Sequence, residues 1–321
     1  MQGVWKKVQK IFKKIIKHLE DEAKDVNDDR PQSKKNSRPS SVILEPTIPM
    51  SLNSNTDRVK DTTVTKEAIN DPKVAVETLW AMDKREKVNL NLQSKSTVFN
   101  KGDKASQDLF TSKSIDLSRP TYRTFVELLN NYTFETGIAE KHNTSHINEQ
   151  SAFIRSVLAT DIGKYLSTYL KSFKITDIER FLIDLWFTFQ KRDVHQDSCP
   201  FEHVFVGEIR DGKVIGMHNW IQCCLEEAKG TFNYQGYIQN QYTSRYVGNI
   251  QFKWNSYLKQ VSTIFFGSSP EFELALFTIV YMHVKGTDNV VQATFDNIPV
   301  KVVVHTFGKG KIGSAYPEII R

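Results

Sequence analysis

The chain has 321 residues, 39% of them hydrophobic and 11% aromatic, which is enough to close a sizeable core in one or two domains and excludes a disordered chain. Its net charge of +6 is uneven: residues 1–40 hold eleven Lys/Arg against six Asp/Glu, or +5, leaving +1 for everything after them. A body so near neutral cannot hold a polyanion by bulk charge, and three cysteines, Cys199, Cys223 and Cys224, make neither a disulfide framework nor a zinc spacing.

Residues 1–19 predict a basic amphipathic helix. At about 100° per residue, Val4, Trp5, Val8, Ile11, Phe12, Ile15, Ile16 and Leu19 fill one side and Lys6, Lys7, Lys10, Lys13, Lys14 and Lys17 the other. There is no unbroken apolar run, so the segment reads as neither a secretory signal nor a membrane span. Together with the odd thiol count this favours an intracellular location, secretion being the alternative. Such a helix binds an anionic membrane surface, an acidic partner or RNA phosphates, or it docks its apolar side on the next domain and leaves the lysines in water. From residue 20 to 67, charges, Ser, Asn and Pro replace periodicity (DRPQSKKNSRPSS, SLNSNTDRVKDTT), which predicts a disordered linker.

Residues 68–321 read as the folded domain. The pattern is helical from about 66 to 192: Pro120 sits where a first-turn proline belongs, ahead of Tyr122, Phe125, Leu128 and Leu129, and Thr176-Asp-Ile-Glu179 predicts a capping box before a helix containing Trp186. These aromatics are expected in the core. From His203 onward strand signals take over, with a helix from about Pro270 to Tyr281. The expected class is α+β: a mostly helical N-terminal half followed by antiparallel β segments with a few helices.

The stretch FEHVFVGEIRDGKVIGMHNWIQ (201–222) carries the chemistry. Asp211-Gly212 is a strong two-residue hairpin signal, and that loop would set Phe205 opposite His218 and His203 opposite Trp220. Both imidazoles would then share one face, with Cβ atoms roughly 7–8 Å apart or less, unless a bulge at Gly207 or Gly216 breaks the register. A phosphodiester fits between two such rings. One takes a proton from an attacking hydroxyl, which in RNA is the ribose 2′-OH, and the other gives a proton to the leaving oxygen. Glu202 and Glu208 are six apart and would lie on the opposite face of a regular strand from His203, in a supporting or metal-binding role.

Many segments match one family in order: LWAMD (79–83), NLNLQ (89–93), PTYRTFVELLNNY (120–132), DLWFTFQKR (184–192), FEHVFVGE (201–208), GMHNWIQ (216–222), YQGYI (234–238), GSSPEFELALFT (267–278) and IGSAYP (312–317). Over about residues 70 to 321 the chain resembles the EndoU family, the poly(U)-specific endoribonucleases of animals, whose catalytic domain is similar to the uridylate-specific endoribonuclease of coronaviruses. The resemblance implies that His203, His218 and Lys259 are catalytic, that Glu202 and Glu208 support activity or bind metal, and that Ser314 and Tyr316 recognise or stack on uracil. It implies a single-stranded, U-rich RNA substrate, stimulation by Mn²⁺ or in some members Ca²⁺, and 2′,3′-cyclic phosphate and 5′-OH ends. By likeness to the coronaviral enzyme His218 is the base and His203 the acid, although the sequence leaves the order open. Departures are Cys199-Pro200 where the family has Ser-Gly, Met217 for Phe and Ser314 for Thr; none removes a reacting group. A monomer is the expected state. The alternatives are a catalytically silent RNA-binding protein and a membrane-active protein acting through residues 1–19.

Overall fold

The computed structural model describes residues 63–320, apart from 101, 142, 239–245, 284–287 and 308–309. The helix expected at 1–19 and the linker as far as residue 62 lie outside the described residues. The linker was expected to run to 67, but Lys66–Asn70 is already helical (α1), because Thr65 caps it by accepting from the Ala68 N–H. Asp71 ends α1 and caps α2, Pro72–Met82.

The helical layer continues with α3 (Pro120–Leu128), α4 (Thr144–Ala159), α5 (Asp161–Ser172) and α6 (Ile178–Phe187). Pro120 opens α3 as expected. The cap of α6 falls one residue later than predicted. Asp177, not Thr176, accepts from Arg180 N at 3.0 Å, which moves Glu179 out of the position a capping box needs. Tyr122, Phe125 and Trp186 are fully buried, and Trp186 Nε1 donates to Thr278 Oγ1 at 3.0 Å.

The second half holds two sheets. The first has five strands in the order β1-β2-β5-β4-β3, from β1 (Glu208–Arg210), β2 (Lys213–Ile215), β3 (Phe232–Tyr237), β4 (Val247–Trp254) and β5 (Tyr257–Phe265). The second is β6-β7-β8, from β6 (Asp288–Phe295), β7 (Ile298–Phe307) and β8 (Lys311–Ile319). All pairings are antiparallel except β2 with β5, a short parallel contact at Lys213↔Leu258. The α+β expectation holds. It undercounted helices after His203, for besides α8 (Pro270–Tyr281) there is α7 (Trp220–Ala228). Asn219 starts α7 by accepting from the N–H groups of Ile221 and Gln222, so Trp220 begins a helix where the hairpin reading had a strand.

Candidate active site

The hairpin exists but is shorter than expected, and the histidines stand outside it. Asp211 and Gly212 have φ of 50° and 68°, the double left-handed turn that Asp-Gly favours, and the ladder pairs Arg210↔Lys213, Ile209↔Val214 and Glu208↔Ile215. Beyond it the register expected for Phe205 and His203 is lost, because Glu202–Val206 is a π-helical turn. An apolar run this short does not distinguish strand from helix. The core decides: the turn brings the rings of Phe201 and Phe205 to 5.1 Å of each other and against Phe125 at 5.6 and 5.5 Å. Pro200 sits at the start of this turn, where Cys199 O accepts from His203 N.

The two histidine segments then bond directly to each other, Met217 N to His203 O at 3.1 Å and His218 N to Val204 O at 2.9 Å. This approach requires Gly216. Its φ is +63°, and a Cβ there would lie 1.8 Å from His203 O.

Each ring is held through Nδ1. His203 Nδ1 lies 2.5 Å from Glu208 Oε2, so Glu208 shares the side of His203 instead of the opposite face expected of a regular strand. The π-helical turn and Gly207, at φ +93°, break the alternation on which that expectation rested. Arg192 Nε lies 3.1 Å from the same carboxylate oxygen, and Arg192 Nη2 donates to Gly313 O at 2.6 Å, tying β8 to the His203 side of the site. His218 Nδ1 is 3.0 Å from Ser262 Oγ and 3.3 Å from Thr263 O, while Ser262 Oγ donates to Met217 O at 3.0 Å. With the serine proton so committed, His218 must carry its own proton on Nδ1, and Nε2 is left as an acceptor.

Lys259 reaches the site because β5 has a bulge. The ladder pairs Ile250↔Ser262 and Phe252↔Lys259, two steps on β4 against three on β5. Ile250 and Phe252 share a face, so Lys259 and Ser262 do too, although a regular strand would set them on opposite faces. Lys259 Nζ donates to Gly216 O at 2.7 Å.

Burial lowers the pKa of all three groups. Burial first, then the charges of Lys259 and His203, holds His218 well below the usual histidine range. Burial and Arg192 lower His203 as well, against the opposing pull of Glu208. Burial brings the Lys259 ammonium down to about 8. Burial works to raise Glu208, yet His203 and Arg192 outweigh it and keep the carboxyl below its ordinary range.

Ser314 and Tyr316, two apart on β8, share a face. The Tyr316 ring stacks on His218, centroids 5.1 Å apart and planes 24° from parallel. A residue that sequence reasoning missed supports this strand. His305 pairs with Ser314 across the β7–β8 ladder and its Nε2 is 3.0 Å from Tyr316 Oη. Arg192 and Ser262 were also missed; nothing in a lone Arg or Ser signals such a partner.

Glu202 belongs beneath the site. It is fully buried, Cys199 N donates to its Oε2 at 3.3 Å, and burial with Glu208 and Glu140 nearby raises its pKa well above the ordinary range. Glu208 Oε2 is engaged by His203 and Arg192, while Oε1 of both Glu202 and Glu208 is buried without a hydrogen-bond partner among the described residues. Among the described residues no group of three or more His, Cys, Asp or Glu could hold a metal ion. Two carboxyls by themselves are fewer ligands than Mn²⁺ or Ca²⁺ takes.

A profile of the family Endoribonuclease XendoU matches residues 71–317. Poly(U)-specific endoribonuclease of Xenopus tropicalis is 38% identical over 218 residues, 63% of this chain and 73% of that protein. Uridylate-specific endoribonuclease C of Danio rerio is 33% identical over 268 residues, 75% of this chain and 86% of that protein. Among solved structures, that of XendoU, described as a splicing independent snoRNA processing endoribonuclease, superposes with a TM-score of 0.68 at 32% identity, over 81% of this chain and 99% of the other.

Proposed function

The chain belongs to the Endoribonuclease XendoU family, and from that premise we propose that it is a uridylate-specific endoribonuclease cutting RNA by transphosphorylation through His203, His218 and Lys259. The single observation that carries the chemistry is that both histidines are anchored through Nδ1, which leaves both Nε2 atoms for proton transfer.

The surroundings of the two rings support His218 as the base and His203 as the acid. Among the described residues His218 has no carboxylate partner, and burial and Lys259 favour its neutral form, the state a base needs; burial and Arg192 lower His203 too, but Glu208 opposes them and favours its imidazolium, the state an acid needs. His218 Nε2 takes the proton of the 2′-OH as O2′ attacks phosphorus. The P–O5′ bond breaks as His203 Nε2 gives a proton to O5′, and Lys259 neutralises charge on the non-bridging oxygens. The products are a 2′,3′-cyclic phosphate and a 5′-OH. Ser314 recognises the uracil edge and Tyr316 stacks on the base, in a single-stranded U-rich substrate.

Mn²⁺, or Ca²⁺, is proposed as a stimulant that does not enter the proton transfers, which the two histidines carry. Cleavage with and without a chelator tests this. Retention of both histidines and the lysine speaks against a silent RNA-binding protein. For residues 1–19 we propose attachment of a monomeric enzyme to anionic membrane surfaces: deleting residues 1–60 is expected to leave turnover of a short oligonucleotide unchanged and to abolish binding to anionic vesicles, polybasic attraction being about 1 kcal/mol per Lys.

The central test is cleavage of a U-containing oligonucleotide with identification of both ends. His203→Ala, His218→Ala and Lys259→Ala are each expected to lose roughly 10²–10⁴ in rate while staying folded. A His218→Ala protein with wild-type turnover removes that histidine from the mechanism.

A further inference from the structure

The face that Ser314 presents is set by a bulge in β8. The ladder pairs His305↔Ser314 and Thr306↔Ile312, one step on β7 against two on β8, so Gly313 is the extra residue. Ile312 is fully buried and Ser314 partly exposed, although unbroken alternation would put the two on one face. In addition β8 is the edge of its sheet, so ladder bonds hold it from the β7 side alone.

The bulge is held from its other side by the segment that follows α6. Gln190 Nε2 donates to Ile312 O at 3.1 Å, and Arg192 Nη2 donates to Gly313 O at 2.6 Å. These are the carbonyls of the two residues just before Ser314, and the second belongs to the same planar peptide as the Ser314 N–H. We propose that Gln190 and Arg192 are the positioning residues behind uridine preference: they fix the bulge and thereby place the Ser314 hydroxyl against the uracil edge. The proposal rests on the reading of Ser314 as the uracil contact.

The two side chains stand on a braced loop. Gln190 N donates to Ser198 O at 2.7 Å, which closes its neck. Inside the neck, buried Asp197 accepts from the N–H groups of Arg192, Asp193 and Val194 at 2.7, 2.8 and 3.0 Å, and from Gly137 N at 3.0 Å. Bonds to a carboxylate are among the stronger ones, so the loop offers a fixed base from which to hold a strand edge. The guanidinium of Arg192 also lies 2.9 Å from Ser198 Oγ and 3.1 Å from Glu208 Oε2, so one planar fork spans the support of His203 and the bulge before Ser314.

The test is the ratio of kcat/KM at U to that at C, in oligonucleotides differing at that base, with variants of the full chain. Gln190 is partly exposed, so its variants are expected to fold. Gln190→Ala, and Gln190→Glu, which keeps the size and loses the donor, should lower the ratio roughly two- to tenfold, by slowing cleavage at U more than at C. Arg192→Lys keeps a cation beside Glu208, but a point charge cannot also span to Gly313 O, and it should lower the ratio in the same way. In a Ser314→Ala background neither change should lower the ratio further, because the hydroxyl they place is gone. A tie that serves stability alone would slow U and C alike. An unmoved ratio in Gln190→Ala or in Arg192→Lys, or a further fall on top of Ser314→Ala, would therefore overturn the proposal. A Ser314→Ala protein with the wild-type ratio would instead remove Ser314 as the uracil contact, and the positioning role with it.

Discussion

Replacing Glu208 by Gln changes one oxygen for one nitrogen and removes the charge that ties the site together. Glu208 Oε2 is shared by His203 Nδ1 at 2.5 Å and Arg192 Nε at 3.1 Å, with Glu208 and His203 both buried. A hydrogen bond to a charged group is worth about 1.5–3 kcal/mol, against about 0.5–1.5 for a neutral pair. The amide can still accept from Nδ1–H, so the ring keeps its tautomer, but it no longer stabilises an imidazolium. The difference, about 1–1.5 kcal/mol lost from the protonated form, corresponds to roughly a 5- to 13-fold fall in the acid step near neutral pH. The sign also follows: a less supported imidazolium is formed only at lower pH, so the variant's profile moves toward acid and its deficit shrinks as pH falls. Single-turnover cleavage of a fluorogenic U-containing oligonucleotide across pH measures this, and a melting curve at each pH separates it from unfolding. Arg192 keeps Ser198 Oγ and Gly313 O as partners, so the variant is expected to fold with a lowered Tm. A Glu208→Gln protein with wild-type rate and an unmoved profile would refute the assignment of His203 as the acid that Glu208 supports.

Gly216→Ala is expected to cost about 3 kcal/mol or more and most of the activity, since a Cβ there meets His203 O at 1.8 Å; Gly230→Ala, with φ +75° and nothing within 4 Å, should cost only about 1 kcal/mol, and urea titration of both checks the contrast. Because the Lys259 ammonium is held at about 8, its charge is present below that pH and lost above it, so rate should show a further fall as pH rises through about 8 that Lys259→Arg abolishes; persistence of that fall in the variant would assign it to another group. Ser314→Ala should relax the preference for U over C with modest loss of rate, whereas Tyr316→Ala should weaken cleavage at every base by about 1–3 kcal/mol. His305→Ala, which removes the hydrogen bond to Tyr316, should do the same in smaller measure, and an unchanged U:C ratio in Ser314→Ala would move base recognition elsewhere.

Local signals were enough for some of this. The Asp211-Gly212 turn, Pro120 at the start of α3 and the helix Pro270–Tyr281 were legible because each depends on a few neighbouring residues: a backbone that tolerates positive φ, a ring that fixes φ, and an apolar run behind a serine cap. The seven proposed site residues were legible for a different reason, since their motifs resemble a family; composition and spacing do not single out Lys259 or Tyr316. Tertiary structure decided the geometry. Whether Glu202–Val206 became a strand or a helical turn depended on aromatic partners from α3, α4 and α6, far away in sequence. That choice removed the histidines from the hairpin and brought Glu208 to His203. Likewise Lys259 faces Gly216 only because β4 imposes a bulge on β5, and Arg192, Ser262 and His305 gain their partners across chain separations that no local pattern records. A side chain's type is written in the chain, whereas the direction in which it points is set by whatever packs behind it.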